Sequence, residues 1–150
     1  MNESIIGIDY GEARTGVAAT DALGLLAVGV GTIEERDLNR LINRICAVAQ
    51  ERKASKIVLG NPVNMNGSVG ERSEKIARIA ARISETSGIP VVLFDERCTT
   101  MAAHTILNAT DTRGKKRKKV VDTLSAEIIL QNYMDSERLK TASENEKSRA

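Results

Sequence analysis

The chain has 150 residues, of which 41% are hydrophobic and 28% are charged, a balance typical of one globular domain and not of a disordered or fibrous protein. Its three aromatic residues are too few for a module that binds single strands by base stacking. No apolar run approaches the ~18 residues of a membrane span, so we expect no membrane partner.

The net charge of +2 conceals one cluster of basic residues, because positions 113–119 hold six basic residues and no acid. The rest of the chain, with 16 basic and 20 acidic residues, has a net charge of −4. We therefore expect one anion-binding site on a mildly acidic body.

The start of the chain and its two cysteines bear on the compartment. The N-terminus carries Glu3 and a short, interrupted apolar run, which is unlike a signal peptide. Cys46 and Cys98 are far apart and fit no metal-ligand spacing, so we interpret both as reduced thiols. These features predict a cytoplasmic protein.

The first third of the chain predicts three strands and a helix. Short β-rich segments at residues 4–9, 15–19 and 25–32 are separated by glycine-containing turns, the pattern of an antiparallel meander. Asp37 is a suitable N-cap residue, and the apolar period after it is that of a helix ending near Arg52.

The remainder alternates between strands and helices. Residues 56–60 and 91–94 predict buried strands, and between them lie a Gly/Asn/Pro-rich loop (61–70) and a helix that Gly88 ends. A short helix capped by Thr99 or Thr100 is expected next, and it contains the only histidine, His104, for which a surface role is favoured. We then expect a basic loop at 109–119 and a last helix at 120–134. The predicted fold is α/β, with a mixed sheet of three antiparallel and two parallel strands and helices on both faces.

Residues beyond this core predict little structure of their own. From 136 to 150 the chain is polar and evenly charged, so we expect a flexible C-terminal tail after a single domain at 1–135.

Acidic residues stand at three informative positions. Asp9 ends the first strand, Asp95 and Glu96 end the last strand, and Asp122 opens the last helix. If the first strand is central and parallel to the later ones, Asp9 and Glu96 meet at the carboxyl edge, where open α/β sheets bind ligands. Small residues one turn after Asp122, Ser125 and Ala126, would let the helix approach the same edge.

Three carboxylates in one place repel one another unless a cation neutralises them. Mg²⁺ or Mn²⁺ prefers such oxygen ligands, and two such ions can activate a water and stabilise the leaving oxygen of a phosphodiester. Taken singly, each acid has an ordinary alternative: Asp9 as a turn residue, Asp95 or Glu96 as a solvated group, and Asp122 as an acid that favours the helix dipole.

Four motifs in order resemble the YqgF family, which includes the bacterial RuvX proteins. They are GIDYGEARTGVA (7–18), GNP with NGS (60–62 and 66–68), DERCTT (95–100), and KVVD followed by SA (119–122 and 125–126). The resemblance covers about residues 4–134, and Ser125 stands where an alanine is common. It implies a ribonuclease H-like fold and metal-dependent phosphodiester cleavage, with the catalytic and metal-binding roles on Asp9, Glu96 and Asp122. We prefer Glu96 over Asp95 because its longer side chain can leave the strand end. The implied role is processing of the 5′ end of precursor 16S rRNA in ribosome biogenesis.

Basic residues near these acids predict contacts with nucleic acid. Five consecutive cations lead directly into Asp122 and would contact phosphates without reading sequence. A solvated, mobile loop is the alternative for this run. Arg97 could bind a phosphate or pair with its acidic neighbours, and Arg14 in the first hairpin is a weaker candidate. The predicted nucleic-acid-binding residues are thus Arg14, Arg97, Lys115, Lys116, Arg117, Lys118 and Lys119.

Several functions remain open on the sequence. Structured RNA, such as precursor rRNA, is the favoured partner, and a monomer or a homodimer would suit it. A branched DNA junction is the second possible substrate, for which two symmetric cuts would need a homodimer. A non-catalytic nucleic-acid-binding module of the same fold is the third. The resemblance of Asp9-Tyr10-Gly11 to the phosphate loop of actin-like ATPases ranks last, since that fold needs two such domains.

Overall fold

The computed structural model describes residues 4–24, 26–61, 71–95 and 114–148. Five strands and three helices lie within these residues. They are β1 (Ile5–Asp9), β2 (Arg14–Thr20), β3 (Ala27–Glu34), α1 (Leu38–Glu51), β4 (Lys56–Asn61), α2 (Glu71–Ser87), β5 (Val91–Asp95) and α3 (Gly114–Ser148).

The strands form one mixed sheet with the order β3-β2-β1-β4-β5. β1 is central: it pairs antiparallel with β2 and parallel with β4, and β5 continues the parallel half. β2 and β3 are joined by a short turn and pair antiparallel, with an irregularity between Val17 and Ala18. The predicted meander and the predicted parallel strands are confirmed.

α1 and α2 cover one face of the sheet. Asp37 caps α1 as expected, since its carboxylate accepts a hydrogen bond of 3.0 Å from the backbone N–H of Arg40. The apolar side of α1, at the predicted 3–4 residue spacing, packs with α2 against alternate residues of the central strands. Fully buried side chains of this cluster include Ile6, Ile8, Leu41, Ile45, Ile57, Leu59, Ile76 and Ile83. Gly88 ends the helical region with φ near 74°, a conformation that glycine adopts without strain.

α3 covers the other face and lies very close to the strands. A Cβ placed on Gly7 would be 2.7 Å from the Cβ of Leu130 and 3.0 Å from the carbonyl oxygen of Ala126. Glycine in the sheet and small residues on the helix, including the buried Ser125 and Ala126, make this approach possible. The expectation that small residues let the last helix approach the sheet is therefore confirmed.

The last helix is longer than predicted at both ends. It begins at Gly114, so residues 115–119 are helical and do not form the expected loop. For the same reason Asp122 lies inside the helix, and the prediction that it opens the helix is wrong. Lysine and arginine are good helix formers, and this propensity prevails over the repulsion on which the prediction rested. The helix also continues to Ser148, where we expected a flexible tail beyond residue 135.

Parts of the prediction fall outside the described residues. The predicted loop at 62–70 and the predicted short helix with Thr99, Thr100 and His104 lie outside the described residues. The domain boundary at 135 stays a prediction. None of the described helices is both long enough and apolar enough to span a bilayer.

Candidate active site

The carboxyl ends of the three parallel strands meet at one edge of the sheet. In the register, Ile8 of β1 lies beside Leu59 of β4, which lies beside Leu93 of β5. Asp9 is the next residue of β1, and Asn61 and Asp95 are register partners at the ends of β4 and β5. The antiparallel β2 begins at this same edge, which we call the carboxyl edge. The central position of β1, on which the sequence argument depended, is thus confirmed.

Asp9 and Asp122 share one face of this edge. Gly7 faces α3, and strand alternation places Asp9, two residues later, on the same side. Asp9 is the register partner of Gly16. The backbone carbonyl of Asp122 rests directly on Gly16, where a Cβ would overlap it. The structure therefore brings together the backbones of two acidic residues that are separated by 113 positions in the sequence.

Arg14 holds the carboxylate of Asp122. Its Nε donates to Oδ2 of Asp122 over 3.1 Å, and the two side chains are 36% and 23% exposed. Burial raises the pKa of Asp122, although the hydrogen bond and the positive charge of Arg14 act to lower it. At the next residue of α3, the hydroxyls of Thr123 and Thr32 are 2.8 Å apart and tie this part of α3 to β3.

The donor set at this edge suits a hard cation. A half-buried carboxylate whose ionised form is disfavoured by burial gains from a nearby positive charge, and oxygen ligands are those that Mg²⁺ prefers. Two carboxylates alone do not complete a site: within the described residues, no group of three or more His, Cys, Asp or Glu side chains could hold a metal ion. The predicted third ligand, Glu96, and its neighbour Arg97 lie outside the described residues.

The basic segment lies beyond the carboxyl edge. Leu130 and Ala126 lie over Gly7, whereas Asp122 lies over Gly16, the partner of Asp9. α3 therefore runs antiparallel to β1, and its first two turns, with Lys115–Lys119, extend past the point where β1 ends. The backbone thus places the five cations of the prediction on the side where the two carboxylates lie.

Some residues of this site were not identified from the sequence. Gly16 was interpreted only as a turn residue, and Arg14 only as a contact for nucleic acid. On the face that α2 covers, Lys75 was not considered either, and its Nζ lies 5.4 Å from the ring centroid of Tyr10, which directly follows Asp9. Ser73 of α2 donates a 2.9 Å hydrogen bond to the side chain of Asn61. For Arg14 and Gly16 the sequence did hold a signal, since their spacing of two residues puts both on one face of β2.

Comparison with known proteins gives relatives along nearly the whole chain. A family model described as "RuvX: Holliday junction resolvase" matches residues 3–136. A protein of Geobacillus kaustophilus is 45% identical over 137 residues, covering 89% of this chain and 98% of its own length. One of Bacillus subtilis is 44% identical over 134 residues, covering 88% and 97%. Both carry the name of a pre-16S rRNA nuclease.

Solved structures show the same fold at low sequence identity. RuvC of Thermus thermophilus in complex with a Holliday junction aligns with a TM-score of 0.53 at 11% identity, covering 85% of this chain and 92% of that one. The yeast mitochondrial Holliday junction resolvase aligns with a TM-score of 0.52 at 12% identity, covering 89% and 78%. These likenesses confirm the ribonuclease H-like fold that the resemblance implied. With the family model matched over residues 3–136 and relatives above 40% identity, this chain belongs to the RuvX family.

Proposed function

We propose that this protein is a metal-dependent nuclease that hydrolyses phosphodiester bonds, and that it acts on the 5′ end of precursor 16S rRNA in ribosome biogenesis. The observation that carries the proposal is the convergence of Asp9 and Asp122 at the carboxyl edge, across Gly16. The names of the relatives support the choice of precursor rRNA as substrate.

Asp9 and Asp122 would hold Mg²⁺ or Mn²⁺ together with Glu96. Glu96 stays preferred over Asp95 because its longer side chain can leave the end of the strand. Bound there, such an ion would supply an activated water for attack on a phosphodiester and positive charge to stabilise the leaving oxygen. Arg14 would keep the Asp122 carboxylate oriented toward the site by the hydrogen bond from its Nε.

The start of α3 would supply the main contact with the substrate. Five consecutive Lys and Arg residues on a helix that extends past the carboxyl edge concentrate positive charge there, and such charge attracts phosphates. Phosphate contacts position a nucleic acid without reading its sequence. The scarcity of aromatic residues suits recognition of backbone and duplex shape in structured RNA, in place of stacking on splayed bases.

Cleavage of four-way DNA junctions is the second candidate function. It is favoured by the description of the family model and by the likeness of the fold to resolvases that bind or cut Holliday junctions. Two symmetric cuts would then need a homodimer, whereas RNA trimming needs only a monomer. We place either activity in the cytoplasm, which agrees with the buried thiol of Cys46, a cysteine that forms no disulfide.

The decisive experiment compares the two substrates on one protein. Purified wild type is incubated with labelled precursor 16S rRNA or with a labelled four-way junction, in Mn²⁺ or in EDTA. Asp9→Asn tests the site, and Asp135→Asn, which removes an exposed acid of α3 far from the carboxyl edge, is the matched control. We expect Mn²⁺-dependent cutting of RNA by the wild type and Asp135→Asn, and none by Asp9→Asn.

Other outcomes would change the assignment. Cutting of the junction alone would establish the DNA resolvase. Equal cutting by Asp9→Asn and wild type would show that the carboxylates are not the active site. Tight binding without cutting by either protein would leave a non-catalytic binding module.

A further inference from the structure

A second feature of the carboxyl edge is a hollow beside Arg14. It has a volume of about 360 Å³ and is lined by Ala13, Arg14, Glu34, Glu35 and Arg36. Arg14 begins β2 and is the register partner of Glu34 at the end of β3, so the hollow lies on the β3 side of the two carboxylates. Arg14 also bonds to Asp122 and thus forms the boundary between the hollow and the candidate active site.

One of the two acidic residues in this lining, Glu35, is already engaged. One carboxylate oxygen of Glu35 lies 3.9 Å from Nη1 of Arg44, and the other accepts a 3.4 Å hydrogen bond from the backbone N–H of Asp37. Arg44 also donates to the carbonyl of Glu34 over 3.1 Å, which fixes the end of β3. The carboxylate of Glu34 itself is on an exposed residue.

The two arginines of the hollow keep donors for a ligand. Arg14 uses Nε for Asp122, and its two terminal nitrogens form no hydrogen bond or ion pair within the described part of the chain. Arg36 is exposed, and its side chain has no such partner among the described residues. A guanidinium presents its donors in a planar fork that matches the oxygens of a phosphate.

We propose that this hollow is a subsite for one phosphate of the substrate strand, next to the bond that is cut, held by the terminal nitrogens of Arg14 and by Arg36. The inference rests on the proposed function, since it places the cut at Asp9 and Asp122. Arg14 then has two contacts at once: Nε with a carboxylate of the active site and the terminal nitrogens with the substrate. It is a positioning residue that sets the distance between the strand and Asp122.

The subsite also sets the path of the strand. The β3 end, the β2 start and the β1 end follow one another along the carboxyl edge. A strand with one phosphate in the hollow and the next at Asp9 and Asp122 would run along this edge. Because the contact is to phosphate, it would position the strand for any base sequence.

Binding is tested without cutting, in EDTA, with a fluorescent fragment of precursor 16S rRNA that spans the proposed 5′ cleavage site. The folded parts of this fragment fix the register of the strand on the protein, and its integrity is checked on a gel. Arg36→Gln is compared with Arg40→Gln, which removes the same charge from an exposed residue of α1 on the opposite face of the sheet. We expect Arg36→Gln to weaken binding about threefold to tenfold and to reduce the salt slope by about 0.7, the share of one phosphate contact on a single strand. Arg40→Gln should change the affinity and the salt slope by less than Arg36→Gln does.

A phosphate scan then locates the contact. One charged phosphate at a time is replaced by an uncharged methylphosphonate, and the affinity of each RNA is measured. We expect one position at which the substitution weakens binding by the wild type and by Arg40→Gln, and weakens binding by Arg36→Gln clearly less, because only Arg14 still contacts that phosphate. Equal binding by Arg36→Gln and Arg40→Gln, or losses of the same size at every position in all three proteins, would overturn the proposal.

These measurements separate the subsite from the proposed nuclease. If the wild type cuts RNA but the scan shows no position that depends on Arg36, the subsite fails and the nuclease stands. If the scan succeeds and no substrate is cut, the hollow is a phosphate subsite of a binding protein.

Discussion

Gly16 decides where Asp122 lies, and Gly16→Ala tests this directly. Its φ is not in the left-handed region, so alanine brings no backbone strain and acts only through its added methyl group. That methyl would overlap the carbonyl of Asp122 and lie 3.1 Å from the backbone nitrogen of Thr123. These neighbours are helix backbone, which cannot rotate away, so the start of α3 must move by on the order of 1 Å.

Two effects of different size should follow. Overpacking against a rigid backbone costs about 3 kcal/mol, which lowers the Tm of a chain of this length by about 6–12 °C. A displacement of about 1 Å at a reacting group costs about a hundredfold in rate. We expect Gly16→Ala to remain folded at 25 °C and to cut precursor rRNA about a hundred times more slowly than the wild type. Thermal unfolding and initial cleavage rates measure the two effects.

Gly29→Ala is the matched control. A Cβ there would lie 2.7 Å from Cγ2 of Thr123, the end of a side chain that can rotate, so the cost should stay below about 1.5 kcal/mol. If Gly16→Ala is as stable and as active as Gly29→Ala, the close approach of α3 to β2 does not position Asp122, and the reasoning is refuted.

Three further predictions concern charge and packing on α3. Because burial raises the pKa of Asp122, ionising it costs stability as pH rises above the ordinary value near 3.8. Urea denaturation should therefore show that the free energy of unfolding of Asp122→Asn rises relative to that of the wild type between about pH 4 and pH 7. A difference in free energy that stays constant with pH would contradict this. Replacing residues 115–119 by Gln, which preserves a helix, should lower the salt slope of RNA binding by up to about 3.5 and leave the fold intact, as circular dichroism would show. An unchanged slope would remove the basic segment from the interface. The hydroxyl of Ser125 is buried and forms no hydrogen bond with any described residue, so Ser125→Ala should raise the free energy of unfolding by about 1 kcal/mol. A loss of stability would mean that this hydroxyl has a partner.

The strands and the first two helices could be predicted because their signals are local. Asp37 caps α1 as its residue type indicates, and the period changes from two to 3.6 directly after it. The ends of α3 could not be predicted in this way. Its basic first turns and polar last turns have good helix propensity but no apolar period, so the pattern indicated a loop at one end and a tail at the other.

The sequence by itself determined the α/β class, the antiparallel and parallel halves of the sheet, and the acid at the end of β1. These follow from short-range periods and from the position of a charge relative to a strand or helix end. Only the tertiary structure decided that Asp122 rests on Gly16, that Arg14 bonds to it, and that a hollow with Arg36 lies beside them. The bond between Arg14 and Asp122 joins residues 108 positions apart. No local pattern encodes such a contact, because it depends on how closely α3 packs on the sheet.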